Sequence, residues 1–387
     1  MRFNIWKDFE QKPLPDVLSF VVDNRGKTVP TDVNGNHILI ATNCIRNENL
    51  YPSYEKVRLL SEDTYQNWFR AHPEPGDIMF VNKGTPGRVC MVPDPIDFCI
   101  AQDMVALRAN EDIVYNKYLF AILRSWKIQS QITSTTVGDV IPHFKKQQLK
   151  EIMIPIPPMR VQKMIGDYYF AFSKKIELNK NINDNLLFQM LLLFDNAREK
   201  ASWTEQKLEN VMEFYDQKRK PLSSRQRDGM HRNYPYYGAT TIVDYVEDYI
   251  FDGTYILISE DGANVVDENG HPLTQYTFGK FWINNHAHIV KGSNGFSEAL
   301  LLALLGTINM RSIVTGAAQP KINQANLRNF KTLLPDENEA KKLSNLMDPM
   351  LNMMIKNDKE NQSLTELRDS LLPKLMSGEL DISALNI

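Results

Sequence analysis

Cysteine is scarce in this chain: Cys44, Cys90 and Cys99 are all there is in 387 residues. Three scattered thiols cannot frame a disulfide-stapled fold or a zinc site, so they read as small core hydrophobes in a reducing compartment. Long apolar runs are missing too. The best, Ala299–Leu305, is far short of the 18 or so residues that a membrane span needs, and it reads as a buried helix. The first residues, Met1–Lys7, hold no apolar signal core, which gives the expectation of a cytoplasmic protein. No sign of charge dominates either. With 44 Lys+Arg against 47 Asp+Glu the net is −3, not the footprint of a generic polyanion binder, although local charge rather than the total governs such binding.

What is present is a duplication. A composition of 43% apolar and 24% charged residues is globular, and the length allows two or more domains. Residues 142–200 and 320–378 are copies offset by 178 positions (320 − 142) without a gap. Pro142 maps onto Pro320, Leu149 onto Leu327, Leu186 onto Leu364, and Asn179 and Asn183 onto Asn357 and Asn361. The flanking blocks correspond more loosely. Residues 77–84 lie over 255–262, 103–107 resemble 286–290, and 116–132 resemble 297–313 with Ser297 placed as an N-cap. The apolar pattern is kept while the polar residues differ.

Four blocks follow. Residues 1–157 alternate short β-like runs (Ile38–Ala41, Ile78–Val81, Met104–Arg108) with turns, ahead of a helix over Asn116–Ile132. Residues 158–200 read as a long helix whose earlier start is blocked by consecutive prolines. Residues 201–334 are β-rich again, and 335–387 carry a second long helix, ending before Gly378, and a tail.

The helices repeat an apolar seam. It runs through Ile165, Tyr169, Phe172, Ile176, Asn179, Asn183, Leu186, Met190 and Leu193, and through Leu343, Met347, Met350, Met354, Asn357, Asn361, Leu364, Arg368 and Leu371. Sustained heptads signal a coiled coil; two amphipathic helices on separate domains are the plainer alternative. Two asparagines interrupt each seam at its middle. A buried amide is costly without a partner, so pairing the four in an antiparallel alignment would fix the register. The asparagines could instead mark a drift of the stripe toward solvent. A helix of about 39 residues spans about 58 Å at about 1.5 Å per residue, one to two turns of a duplex advancing roughly 34 Å per turn.

These residues resemble a known family. The run 154–165 leading to 175–183, and above all the ending 367–380 (Leu-Arg-Asp-Ser-Leu-Leu-Pro-Lys-Leu-Met-Ser-Gly-Glu-Leu), are similar to segments of the DNA specificity subunits of type I restriction–modification systems. The second entry departs from the pattern: it lacks the double proline, and Ala340 stands where the first copy has Gln162. The first helix also ends without the Arg and Pro of the second ending. The resemblance implies an α+β protein with two α/β target-recognition domains, separated by two long helices in an antiparallel coiled coil with a pseudo-twofold internal repeat. The domains would each read one half of a split double-stranded DNA target. The helices would measure the unread gap and dock two methyltransferase (modification) subunits, joined in the restriction complex by nuclease–translocase subunits. S-adenosylmethionine would then sit on the methyltransferase, and ATP and Mg on the nuclease partner, with no cofactor in this chain.

A non-catalytic chain should lack catalytic constellations, and the sequence holds no S-adenosylmethionine loop, no Asn/Asp-Pro-Pro-Tyr/Phe motif and no Walker loop. His286 and His288 could present two ligands from one strand, but no third ligand is clearly placed, so no metal is expected. Residues 260–262 could pass for a cation loop, yet their counterparts Asn82–Gly84 are not acidic. Candidate DNA contacts in the first block are Asn82, Lys83, Thr85 and Arg88 on one turn, then Thr135, Thr136, His143, Lys145 and Lys146. In the second they are Lys218, Arg219, Lys220, Arg225 and Arg232, then Gln319 and Lys321. Cations suit phosphates, while Asn82, Arg88 and Gln319 suit base edges. A non-catalytic coiled-coil adaptor with two protein-binding heads would show the same helices.

Overall fold

The computed structural model describes residues 4–24, 26–136, 138, 142–200, 202–316 and 318–380. It divides into two units, Met1–Asn179 with Glu360–Ile387, and Lys180–Lys359.

The first unit is built on a four-stranded antiparallel sheet in the order Leu18–Val22, Met104–Ala109, Ile78–Val81, Val89–Met91. Ile78–Val81 is apolar and buried at every position, as expected of a strand covered on both faces. One face packs on the helix Asn116–Arg124. The other meets a smaller sheet, in which His37–Ile40 pairs antiparallel with Arg58–Leu60 and parallel with Phe98–Ile100. A ribbon of Gln11–Pro13 against Met153–Pro155 closes the unit just before the first long helix.

The second unit repeats this plan. Its main sheet runs Met212–Phe214, Ala287–Gly292, Tyr255–Ser259, Thr274–Thr277. In the smaller sheet Tyr234–Tyr237 pairs antiparallel with Ile242–Val246 and parallel with Lys280–Ile283, which adds Phe251–Asp252 at the edge. The ribbon of Thr204–Lys207 against Lys331–Leu334 precedes the second long helix. Helix Glu298–Leu305 is apolar all round and buried on every side after its first residue, with the Ser297 hydroxyl capping the Leu300 N–H at 3.3 Å.

The long helices run Met159–Lys200 and Glu337–Ser377, and Gly378 at φ +74 ends the second in the left-handed region that glycine tolerates. Each unit completes its core with pieces of both. Ile165, Tyr169, Leu372, Leu375 and Met376 join the first core; Met190, Phe194, Met347, Leu351 and Met354 join the second. The pairing is antiparallel within each unit. In the first, Asn179 Nδ2 donates to Asn361 Oδ1 at 2.9 Å and to Glu360 at 2.8 Å, while Arg368 lies 5.3 Å from the Tyr169 ring centre. In the second, Asn357 Nδ2 donates to Asn183 Oδ1 at 2.8 Å, and Asn183 Nδ2 donates to Asp358 at 2.9 Å and to the Met354 carbonyl at 3.2 Å. Asn179 and Asn183 are buried rather than turned to solvent. Asp358 also accepts from Tyr276 at 2.5 Å; burial pushes its carboxyl above the ordinary range although both hydrogen bonds pull it down.

Some expectations shift. The helix expected over 116–132 is two helices, Asn116–Arg124 and Trp126–Thr135, because Ser125 adopts ψ 143 and caps the second with its own hydroxyl. The stretch 297–313 likewise breaks into Glu298–Leu305 and a short turn at Arg311–Ile313. In the first seam, Ser173 and Phe194 are buried where Phe172 and Leu193 were expected, since spacing by four carries the stripe one position on. The missing Gln in the second copy has a structural counterpart. Gln162 binds the Tyr115 N–H at 2.8 Å and the Ile113 and Pro157 carbonyls, fixing the loop beside it. In the second copy Ala340 takes that place. The Ser344 hydroxyl does the fixing instead, accepting from the Ser297 N–H and donating to the Gly295 carbonyl, both at 2.9 Å. The first-copy counterpart of Ser344 is Gly166, where a Cβ would lie 2.5 Å from the Tyr118 nitrogen.

Because Asn183 and Asn357 satisfy each other, their replacements should not add. Asn183→Ala, Asn357→Ala and the double variant, compared by urea unfolding, should give a coupling energy of roughly 0.5–3 kcal/mol. Additive losses would show that the amides are not paired.

Candidate nucleic-acid interface

In the first unit the candidates gather on two segments joined by a β-bridge, Lys83 to His143. Lys83 is exposed, Thr85 and Arg88 are half-buried, and Lys145 is exposed. The Thr135 and Thr136 hydroxyls donate back to the carbonyls of Gln131 and Ile132, which occupies their protons at the end of a helix. Lys146 makes an ion pair with Asp23. Asn82 is a correction. It is 1% exposed, its amide donates to the Phe144 carbonyl at 3.3 Å, and its backbone bonds tie the turn to the neighbouring strand, so it holds the surface from below instead of reading bases.

The second unit carries the equivalent bridge, Asp261 to Lys321, at the same 178-position offset. Lys218, Lys220, Arg225 and Arg232 are exposed, as is Gln319. The basic segment is fastened down: Trp282 Nε1 donates to the Lys220 carbonyl at 2.6 Å, Arg227 pairs with Asp244 at 2.8 Å, and the Leu222 N–H reaches the Tyr236 hydroxyl at 2.9 Å. Ile242, Val243 and Tyr245 are exposed apolar side chains on the adjoining hairpin. Arg219 is another correction. Its guanidinium turns inward, 2.7 Å from Glu260 and 2.7 Å from the Ala287 carbonyl, and is not the solvent-facing cation that was expected. Lys321 is partly spent as well, 3.0 Å from Glu260.

The histidines separate. His286 pairs with Asp261 at 2.7 Å. His288, buried, meets Asp216 at 2.6 Å through Nδ1 and the Ile322 carbonyl at 2.8 Å through Nε2. Both ring nitrogens therefore face oxygen atoms of the surrounding frame. Asp216, Glu260 and His288 bring ligand atoms within 4.8 Å of one another. The two carboxylates already face the Arg219 guanidinium and the Lys321 ammonium, which makes an ion-pair cluster. Burial raises the Asp216 carboxyl, but the His288 bond, the Ile289 N–H and Arg219 carry it below the ordinary range; burial likewise raises Glu260, and Arg219 and Lys321 bring it down.

The sequence pointed to the basic segment and to the two bridged turns. It weighed His288 only as a metal ligand, and it missed Asp216 and Gln324, whose Nε2 donates to Asp216 at 2.8 Å. Part of a signal existed, since Gln324 is the counterpart of Lys146 at the 178 offset; strand register makes Asp216 the counterpart of Asp23 at an offset of 193 (216 − 23), because the first copy is longer between Asp23 and the strand at 78–81.

Residues 7–187 and 200–366 each match the sequence profile of the type I restriction modification DNA specificity domain. The chain is similar to the MjaIX type I restriction enzyme specificity subunit of Methanocaldococcus jannaschii, 21% identical over 98% of this chain and 95% of that one. It is 32% identical to S.HindORF215P of Haemophilus influenzae over 143 residues, which span 36% of that protein's length. The fold resembles the crystal structure of the S subunit of a type I restriction–modification system from M. genitalium, with a TM-score of 0.53 at 16% identity, covering 95% of this chain and 96% of that one. No helix among the described residues is long and apolar enough to cross a membrane.

Asp216 and Glu260 have depressed folded values, so the stability they contribute is complete above the ordinary carboxylate pKa of about 4 and is lost as pH falls through the folded values. Thermal unfolding followed from pH 7 to pH 3 should show the Asp216→Asn variant losing less stability on acidification than the parent chain. Coincident acid profiles would remove the cluster from the account.

Proposed function

Because the chain belongs to the type I restriction–modification DNA specificity family, we propose that it is the sequence-reading subunit of such a complex, with one recognition domain for each half of a bipartite DNA target. The observation that carries this reading is the doubled specificity domain. Two sheet-based units of the same topology, with unlike polar surfaces, each include a piece of both long helices. Residues 1–157 form the first recognition domain and 201–334 the second; the helices in 158–200 and 335–387 act as spacer. The four central asparagines set the helix register, and so the length of the unread gap.

The chain does no chemistry of its own in this reading. Methyl transfer belongs to two modification subunits that use S-adenosylmethionine, and cleavage to nuclease–translocase subunits that use ATP and Mg, all in the cytoplasm. Exposed apolar side chains such as Leu178, Phe188, Leu346 and Met353 give the long helices an outer surface suited to protein partners. Lys83, Arg88, Lys145, Lys218, Lys220, Arg225, Arg232 and Gln319 are the residues best placed to meet DNA, with the cations on phosphates.

The test is enrichment from a pool of random duplexes by the chain reconstituted with its modification subunits. A bipartite motif with a fixed gap is expected, and recovery of no motif overturns the reading. Exchanging residues 201–334 for the second recognition domain of another specificity subunit should alter one half-site in a genome-wide map of methylated bases. Change in both half-sites would contradict the division of labour.

A further inference from the structure

Each unit brings its candidate contact segments together at one buried junction, made of the same backbone bonds but different side chains. The Phe144 N–H donates to the Asn82 carbonyl at 2.8 Å, and the Ile322 N–H to the Glu260 carbonyl at 2.9 Å. The Asn82 N–H reaches the Asp103 carbonyl, and the Glu260 N–H the His286 carbonyl, both at 2.9 Å. Asp23 receives Lys146; Asp216 receives Gln324. Register places Val105 of the first unit where the second has His288, since Val105 faces Phe80 and His288 faces Ile258.

The chemistry inside that shared frame differs. The first junction has a buried neutral amide, Asn82, and an apolar Val105 at its core, with a single half-exposed ion pair, Lys146 to Asp23, at its edge. The second is ionic: His288 joins Asp216 and the Ile322 carbonyl, while Glu260 holds both Arg219 and Lys321. Asp216 also accepts the Ile289 N–H at 2.9 Å. Four segments are thereby locked to one another: the start of the basic stretch at 216–219, the turn at 260–262, the strand end at 286–289, and 321–324 beside Gln319.

We propose that this junction is the positioning core of each recognition surface, and that Asp216, Arg219, Glu260 and His288 are positioning residues for the second half-site. The proposal rests on the DNA-reading function above. These side chains touch no base. They fix the angle at which Lys218, Lys220 and Gln319 leave the surface, because a buried ion that loses one partner forces its neighbours to rearrange. Recognition by the second unit therefore depends on an extended ion-pair network, where the first unit has the single pair of Asp23 with Lys146.

The experiment uses the full chain reconstituted with its modification subunits and selected on random duplexes, comparing the parent with Glu260→Gln, Glu260→Asp and Gln324→Ala. Glu260→Gln should weaken discrimination at the second half-site at least about tenfold, the order of one lost base contact. The first half-site should be untouched, and Glu260→Asp should restore much of the loss. The slope of affinity against salt should stay at the parent value, since no phosphate contact is removed. Gln324→Ala, which leaves the ion pairs intact, should weaken the second half-site severalfold while the unit stays folded by circular dichroism, and so keeps the test open if Glu260→Gln unfolds. An unchanged second half-site in folded variants overturns the proposal. A parent chain that enriches neither half-site overturns the DNA-reading function instead.

Discussion

Four asparagine amides at the middle of two long helices, three buried and Asn361 half-buried, constrain everything else. An asparagine side chain withdrawn from water must recover its hydrogen bonds from the opposite helix, and a slip of the pair would set it against leucine or methionine instead. In each unit one amide meets an amide: Asn179 with Asn361, Asn183 with Asn357. The surrounding contacts agree, since Lys175 reaches Glu360 at 3.2 Å and Asp358 takes Asn183. Each sheet core is finished by side chains from both helices, so the alignment of the helices also decides which residues are available to close each core.

The repeat keeps bonds more faithfully than residues. Gln162 and Gly166 in one copy become Ala340 and Ser344 in the other, and the fixing of a neighbouring loop passes from an amide to a hydroxyl. Asp23 with Lys146 becomes Asp216 with Gln324. Duplication followed by compensated exchange leaves the frame intact while the surface chemistry above it diverges, which is what two readers of unlike sequences require.

Much of this was legible in the sequence. The helices, the strands at 78–81 and 104–109 and the asparagine pairs follow from periodicity and from one exact offset, because these features are local or repeated. The break at Ser125 was not legible, since the apolar pattern of 116–132 runs through it and only the observed ψ and hydroxyl cap mark the turn. The candidate contacts were the least legible. Asn82 and Arg219 look like surface polar residues until the strands bring Phe144, Glu260 and Ala287 against them, and those partners lie 41 to 68 positions away. Long-range pairing decides whether a cation faces solvent or a buried carboxylate.

The central claim is that the paired helices set the distance between two reading events. Removing one heptad from each helix shortens the pair by about 10 Å at about 1.5 Å per residue, close to three base pairs at roughly 3.4 Å each. Mapping methylated bases across a genome carrying this shortened chain is the most direct measurement. The account predicts the same two half-sites separated by a gap about three base pairs shorter; an unchanged gap would contradict it.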